Sequence, residues 1–321
     1  MRRIATMLGS LALAVSAAMP VRADYPERPI HLLIPFPPGG TVDVVGRLLS
    51  PQLAERLGGP VVVENKPGAG GTIATDATAK APPDGYTLLL TAPNHTINRA
   101  LYAKLPYDTE TAFAPVALVA EVPELLVSPP SVPFDDFAGF VAYARAHPGA
   151  LNYGSAGNGT LPHVTMELLL RGLKLDVVHV AYKGAAPALA DLLAGHVQLK
   201  LDTYATSAPL IAAGRLKALA IASRARSPLP NLPTVAESGL PGYEGVLWMG
   251  IVAPAGTPQP IIAKLAAACA ASVRSADLRA RLAADGIDPV DGSGPEAFAA
   301  LIARELPQWR ALVREAHITV E

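Results

Sequence analysis

Short aliphatic runs along the chain alternate with longer stretches in which apolar residues recur every three or four positions. The short runs predict buried strands, and the longer stretches predict helices with one apolar face. The first predicted helix shows the pattern with a stripe of Val45, Leu48, Leu49, Leu53 and Leu57. This regular alternation of strands and helices is typical of an α/β fold.

The pattern predicts nine strands: Ile30–Ile34, Val61–Glu64, Thr87–Leu90, Ala114–Val119, Leu125–Val127, Val177–Ala181, Val197–Leu201, Leu216–Ala222 and Val246–Val252. It also predicts nine helices: Val42–Leu57, Ile73–Lys80, Phe134–Ala146, Thr160–Arg171, Ala185–Ala194, Ser207–Ala213, Pro260–Ser272, Ser275–Ala284 and Pro295–Ala316.

Two proline-rich passages, Val122–Phe134 and Arg224–Glu244, bracket a block with its own strands and helices. We therefore predict a second domain over residues 124–223 and a discontinuous first domain made of residues 24–123 and 224–321. Two α/β domains joined by two crossings form a hinged clamp, and its ligand is expected in the cleft between them.

Residues 1–23 have the composition of a secretory signal peptide. Arg2 and Arg3 precede an apolar core, and Val21-Arg22-Ala23 forms a cleavage site of the small-x-small type. Cleavage is therefore expected after Ala23. The alternative is an N-terminal membrane anchor, but the apolar run is shorter than the ~20 residues that a span needs. We therefore expect an exported, periplasmic protein.

Composition narrows the class of partner. The full chain carries a formal charge of −1, and loss of the signal peptide would remove three arginines and no acidic residue. This mild acidity argues against a nucleic-acid partner. Cys269 is the only cysteine, so no intramolecular disulfide is expected.

Four glycine- or proline-containing turns follow predicted strands and lead toward helices: "PFPPGGTVD" after Ile34, "NKPGAGGTI" over Asn65–Ile73, "TAPNHT" over Thr91–Thr96 and "NYGSAGNGTLPH" over Asn152–His163. Ligands of parallel sheets bind beyond the carboxyl ends of the strands. Free backbone N–H groups at a helix N-terminus bind anions, and glycine lets the backbone approach closely. These turns therefore predict a carboxylate site.

Structural roles explain some of the same residues. Each glycine pair could form only a tight turn, and Thr41, Thr72 and Thr160 could be helix N-caps. Asp43 could simply complement the helix dipole. His163 could donate to an anion or cap its helix. Asp202 could face a ligand ammonium or hydroxyl, or cap the helix near Ser207.

Patterns typical of enzymes are incomplete. "YGSAG" (Tyr153–Gly157) has Tyr153 where a nucleophile elbow needs its first glycine, and "GAGGTI" ends on Ile73 where the dinucleotide motif needs its last. The histidines lack the spacing of a metal site. We expect no cofactor, no metal and no catalysis.

The mature chain resembles, almost from end to end, the periplasmic solute receptors of tripartite tricarboxylate transporters, known as TctC- or Bug-type binding proteins. The resemblance rests on segments that occur in the family's order, including "PFPPGGTVDVVGRLL", "VVVENKPGAGGTIAT", "GNGTLPHVTMELL", "HVAYKGAAPALADLLAGHV" and "LPNLPTVAESGLPGYE".

The resemblance implies a two-domain periplasmic-binding-protein (Venus flytrap) fold that captures a di- or tricarboxylate, an acidic amino acid or an aromatic acid. A monomeric receptor would then deliver this solute to membrane permease subunits. The implied ligand-binding residues are Phe36, Gly39, Gly40, Thr41, Asp43, Gly71, Thr72, Asn94, Ser155, Asn158, Gly159, His163 and Asp202.

The chain departs from the family pattern at two turns. Thr203 and Tyr204 follow Asp202, and Pro93, Asn94 and His95 replace a more serine-rich turn. These departures predict an aromatic or bulkier acid as ligand. Two other functions stay open from sequence: a carboxylate sensor that docks on a signalling protein, and an exported hydrolase that uses Ser155.

Overall fold

The computed structural model describes residues 25–223, 232–291, 293–315 and 317–318. Its strands are β1 (Ile30–Ile34), β2 (Val61–Asn65), β3 (Thr87–Thr91), β4 (Phe113–Ser128), β5 (Asn152–Ser155), β6 (Val178–Ala181), β7 (Leu199–Thr203), β8 (Lys217–Ile221), β9 (Val246–Pro254) and β10 (Asp288–Pro289). The predicted signal peptide lies outside the described residues.

Its helices are α1 (Thr41–Leu57), α2 (Thr72–Ala79), α3 (Asn94–Leu101), α4 (Phe137–Ala146), α5 (Leu161–Leu173), α6 (Ala185–Ala194), α7 (Tyr204–Ala212), α8 (Gln259–Val273), α9 (Ala276–Ala284) and α10 (Pro295–Glu315). A 3-10 turn, Ala69–Gly71, precedes α2. Within the described ranges, none of these helices is long and apolar enough to cross a bilayer.

The first sheet has the strand order β2-β1-β3-β9-β4. Strand β1 runs parallel to β2 and β3, whereas β9 runs antiparallel to β3 and β4. The predicted stripe of α1 packs here: Val45, Leu49 and Leu53 are buried in one cluster with Leu32 and Ile34 of β1. This packing fixes the N-terminus of α1 at the carboxyl end of β1.

The second sheet contains β4 to β8. Strand β5 runs parallel to its neighbours β6 and β7, and β4 pairs antiparallel with both β7 and β8. Phe140 of α4, Tyr153 of β5 and Met166 of α5 are fully buried in its core. Each sheet thus has its own apolar core, with helices packed against it.

Strand β4 belongs to both sheets. It joins the two predicted strands Ala114–Val119 and Leu125–Val127 into one and includes the start of the predicted crossing Val122–Phe134, which corrects the sequence prediction. Residues Phe113–Pro123 pair with β9, and residues from Glu124 onward pair with β7. Pro115 lies at a register irregularity, and Pro123 lies where the pairing partner changes. Proline is tolerated at such positions because no ladder hydrogen bond is needed from its nitrogen.

The chain returns to the first sheet later than we predicted. Residue 224 itself lies outside the described residues, but Val235 N donates to Ile221 O at 3.0 Å and Tyr243 Oη donates to Thr165 O at 2.9 Å. Residues around Val235 and Tyr243 therefore pack on the second domain. We propose that the return crossing lies at Gly245, whose N–H donates to Ala222 O at 2.7 Å, directly before β9.

Two elements were predicted as turns. Helix α3 carries the buried polar residues Asn94, His95, Thr96 and Asn98, so it has no apolar period. Strand β5 has four residues and includes Gly154, and its conformation is fixed by β6 and β7 on either side. Both elements form through tertiary contacts that override local propensity.

Candidate functional site

A cavity of about 60 Å³ lies where the turn between β1 and α1 faces the second domain. Phe36, Gly40, Thr41 and Asn94 line it from the first domain. The second domain contributes Ala156, Thr160, Ala185 and the end of β7 from Lys200 to Thr203, with Glu124 of β4 beside them.

The two domains contact each other around this cavity. Thr41 Oγ1 lies 2.6 Å from Thr203 Oγ1. A Cβ at Gly184 would lie 2.8 Å from Cγ of Pro37, and a Cβ at Gly40 would lie 4.0 Å from Cβ of Ala185. The structure therefore represents the closed form of the clamp.

Side chains below the β1–α1 turn hold its shape. Asp43 Oδ2 accepts from Gly39 N at 3.0 Å, and Arg47 Nε donates to the same carboxylate. Asn65 Nδ2 donates to Asp43 Oδ1 at 2.9 Å and to Phe36 O at 3.0 Å. Burial opposes ionisation of Asp43, but the hydrogen bonds from Arg47, Gly39 and Asn65 hold its pKa below the usual value.

The N-terminus of α1 is presented to the cavity without a side-chain cap. Gly40 is the N-cap residue. As a glycine it has no side chain that could bond to the backbone N–H groups of the first turn. Thr41 is the first helical residue rather than the cap, and its hydroxyl contacts Thr203 instead. Uncapped N–H groups at a helix N-terminus attract a carboxylate.

The glycine-rich loop after β5 is built around two histidines. Ser155 Oγ lies 2.7 Å from His179 Nε2 and accepts from Gly157 N at 3.1 Å. The His179 ring stacks on His163 with centroids 4.3 Å apart, and His163 Nδ1 accepts from Gly159 N at 3.3 Å. Burial lowers the pKa of both histidines to about 4, so near neutral pH they are uncharged parts of the loop.

The predicted site residues fall into three groups. Phe36, Gly40, Thr41, Asn94 and Asp202 line the closed cavity. Phe36, Gly71 and Asn158 line a larger outer cavity of about 670 Å³ at the same edge. The remaining residues line neither cavity: Gly39, Asp43, Thr72, Ser155, Gly159 and His163.

Asp202 is held by its own domain. Its Oδ1 accepts from Lys200 Nζ at 2.6 Å, and its Oδ2 accepts from Thr206 Oγ1 at 2.8 Å and Ser207 Oγ at 2.9 Å. The donors from α7 are side-chain hydroxyls rather than backbone N–H groups, and Thr203 is the N-cap residue of α7, so Asp202 is not the helix cap that the sequence suggested. The alternative role toward a ligand ammonium would have to compete with these three donors.

The sequence analysis missed Lys200 and Glu124. Both residues line the cavity, and they are 1% and 2% exposed. One signal was present: in a strand, side chains at i and i+2 share a face, so Lys200 had to lie on the same side of β7 as Asp202. Charged residues inside otherwise aliphatic strands mark such sites.

Ser155 and His179 resemble part of a catalytic pair, but Ser155 is fully buried and lines neither cavity. Among the residues that the structure describes, no group of three or more His, Cys, Asp or Glu side chains could hold a metal ion. The arrangement that reaches the cavity is one of hydrogen-bond donors and charges suited to binding.

Comparison with known proteins finds relatives of similar sequence and fold. The model of the tripartite tricarboxylate transporter family receptors matches residues 45–318. BugT of Bordetella pertussis is 37% identical over 319 residues, which cover 98% of each chain.

Two solved structures are similar along almost their whole length. Rpa4515 of R. palustris with adipate has a TM-score of 0.88 and 38% identity, covering 92% of this chain and 99% of that one. MatC from Rhodopseudomonas palustris with bound malate has a TM-score of 0.86 and 38% identity, covering 90% and 100%.

The fold and these relatives define a periplasmic solute-binding protein, which confirms the predicted two-domain α/β clamp. Within that class, the chain belongs to the tripartite tricarboxylate transporter receptor family, as its resemblance to the Bug-type proteins predicted.

Proposed function

We propose that the protein captures a small carboxylated solute in the cavity between its domains and delivers it to the membrane permease of a tripartite tricarboxylate-type transporter. One observation carries the proposal: the uncapped N-terminus of α1 at Gly40 and Thr41 forms a wall of a closed interdomain cavity. The relatives with bound adipate and malate support a carboxylate as the ligand.

A carboxylate oxygen placed in this cavity would accept from backbone N–H groups of the first turn of α1. The positive end of the helix dipole adds a favourable term of ~0.3–1 kcal/mol, and up to ~2 kcal/mol in a partly buried geometry. Closure of the second domain then removes the complex from water, which strengthens these hydrogen bonds. Closure around a ligand is the usual motion of hinged two-domain receptors.

Gly40→Val tests this placement. Gly40 has an extended conformation with φ of −88°, so valine is allowed there, but its methyl groups would fill the space toward Ala185. We expect the variant to fold and to lose at least about 30-fold in affinity for the carboxylate, which corresponds to ~2 kcal/mol. Calorimetric titration of refolded protein with malate and adipate measures this.

Gly294→Val is the matched control, because Gly294 also directly precedes a helix and a Cβ there meets no atom within 4 Å. It should bind like the original protein. Full affinity in Gly40→Val would refute the proposed carboxylate position.

A further inference from the structure

Three ionisable side chains are buried together in the second-domain wall of the cavity. Glu124, Lys200 and Asp202 are each 2% exposed or less, and all three line the cavity. Taking charged groups out of water costs several kcal/mol per ion, and apolar residues of similar volume often stabilise a fold better. Their position at a ligand cavity therefore indicates a functional role.

The bonding of Asp202 argues against an amino acid as ligand. Both of its carboxylate oxygens are already bonded, one to Lys200 Nζ and the other to the hydroxyls of Thr206 and Ser207. A ligand ammonium at this wall would lie next to the ammonium of Lys200. It would gain no free carboxylate and would meet a like charge.

The same wall offers donors. Lys200 Nζ donates to Leu201 O at 3.1 Å and to Asp202 Oδ1 at 2.6 Å, and an ammonium has three N–H groups. Burial raises the pKa of Glu124 to about 8 even though the charge of Lys200 lowers it. The Glu124 carboxyl is thus protonated more readily than an exposed one, and in its protonated form it can also donate.

We propose that Lys200, together with Glu124, binds a second carboxylate of the ligand, so that the receptor selects dicarboxylates over monocarboxylates and amino acids. This inference rests on the proposed function, in which the turn at Gly40 and Thr41 binds the first carboxylate. The two walls then hold the two ends of one dianion.

The test compares pairs of probes that differ in one group. Refolded protein is titrated with adipate and hexanoate, which differ by one carboxylate, and with glutarate and glutamate, which differ by one ammonium. We expect adipate to bind about 10- to 100-fold more tightly than hexanoate, the range for a hydrogen bond to a charged group. Glutarate should bind at least as tightly as glutamate.

Lys200→Met should reduce the adipate-to-hexanoate ratio to near one, with most of the loss on adipate. Lys174→Met removes a charge from an exposed position at the end of α5 and should leave the ratio unchanged. Because the variant Lys200→Met leaves Asp202 unpaired, the double variant Lys200→Met with Asp202→Asn repeats the measurement without that buried charge.

Any general loss of folded protein affects the measured affinities for adipate and hexanoate equally and cancels in their ratio. A merely structural role of Lys200 would therefore leave the adipate-to-hexanoate ratio unchanged. An unchanged ratio in both Lys200 variants would overturn the inference, as would equal binding of adipate and hexanoate by the original protein or a clear preference for glutamate. If none of the four acids bound, the proposed function itself would fail.

Discussion

The two walls of the cavity are built on different principles. The first-domain wall presents the backbone of Gly40 and Thr41 to the cavity. The charged side chain behind it, Asp43, accepts a hydrogen bond from the turn itself and stabilises it. The second-domain wall presents the buried side chains of Lys200 and Glu124. Backbone donors bind any carboxylate, whereas side chains can change from one receptor to another. In the proposed function, the first wall would thus set the class of ligand, and the second would select within it.

The largest expected effect is on the free energy of unfolding. It distinguishes the contribution of a buried charge pair from that of an exposed one. Asp202→Ala removes the partner of Lys200 and leaves a buried ammonium unpaired, which typically costs ~3–5 kcal/mol. Urea unfolding of the ligand-free protein measures the loss. Asp135→Ala is the control, because Asp135 pairs with Lys217 at 2.9 Å but its side chain is 94% exposed, and exposed pairs contribute at most ~1 kcal/mol. Equal losses in the two variants would contradict the distinction.

The next effect is a pH dependence that comes from Glu124. Its carboxyl packs beside Thr165, Lys200, Asp202 and Tyr243, and burial raises its pKa from 4.5 to about 8. The unfolded chain releases this proton near its ordinary pKa, so between about pH 5 and 8 unfolding releases a proton. The free energy of unfolding therefore falls as pH rises through this window, by at most ~1.4 kcal/mol per pH unit.

Glu124→Gln removes the titrating group but keeps a polar side chain of the same size. The stability of this variant relative to the original protein should increase from pH 5 to 8 and level off above pH 8. Urea midpoints at four pH values measure the trend. Parallel pH profiles for the two proteins would show that Glu124 ionises normally in the folded state.

The smallest effect concerns the contact between the walls. Thr41→Val removes the hydroxyl that lies 2.6 Å from Thr203 Oγ1, a bond that joins the two domains in the closed form. A typical hydrogen bond contributes ~1 kcal/mol, so we expect about fivefold weaker ligand binding. Thr257→Val is the control, because its buried hydroxyl bonds only to Pro254 O in the first domain. It should leave ligand affinity unchanged, and a similar loss in both variants would contradict a role in closure.

Local patterns were enough to predict the helix of the first wall. The apolar stripe of α1 and the glycines before it are contiguous in sequence, and they predicted a helix from Val42, which the structure begins at Thr41. Carboxylate binding at its N-terminus stays a prediction. The role of Asp43 depended on Asn65, which lies 22 residues later on β2. A distant hydrogen bond of this kind has no signature in local periodicity, so the sequence offered only a ligand contact or the helix dipole as the role of Asp43.

The second wall could not be predicted in the same way. Lys200 and Glu124 lie on different strands, and the antiparallel pairing of β4 with β7 brings Glu124 opposite Thr203. The strand predicted at Leu125–Val127 began one residue after Glu124, because Pro123 suggested a loop there, whereas β4 runs through both residues. Helix α3 was missed because its buried face is made of polar residues such as Asn94 and Asn98, which apolar periodicity does not detect.

The shared strand β4 also gives the chain an order of assembly. Every strand of the second sheet has been synthesised by residue 221, but β9, which lies between β3 and β4 in the first sheet, begins only at Val246. Because the chain is synthesised from its N-terminus onward, the second sheet is the first to have all its strands. We therefore expect the first sheet to be completed later, when β9 inserts between β3 and a β4 that is already paired on the other side of Pro123.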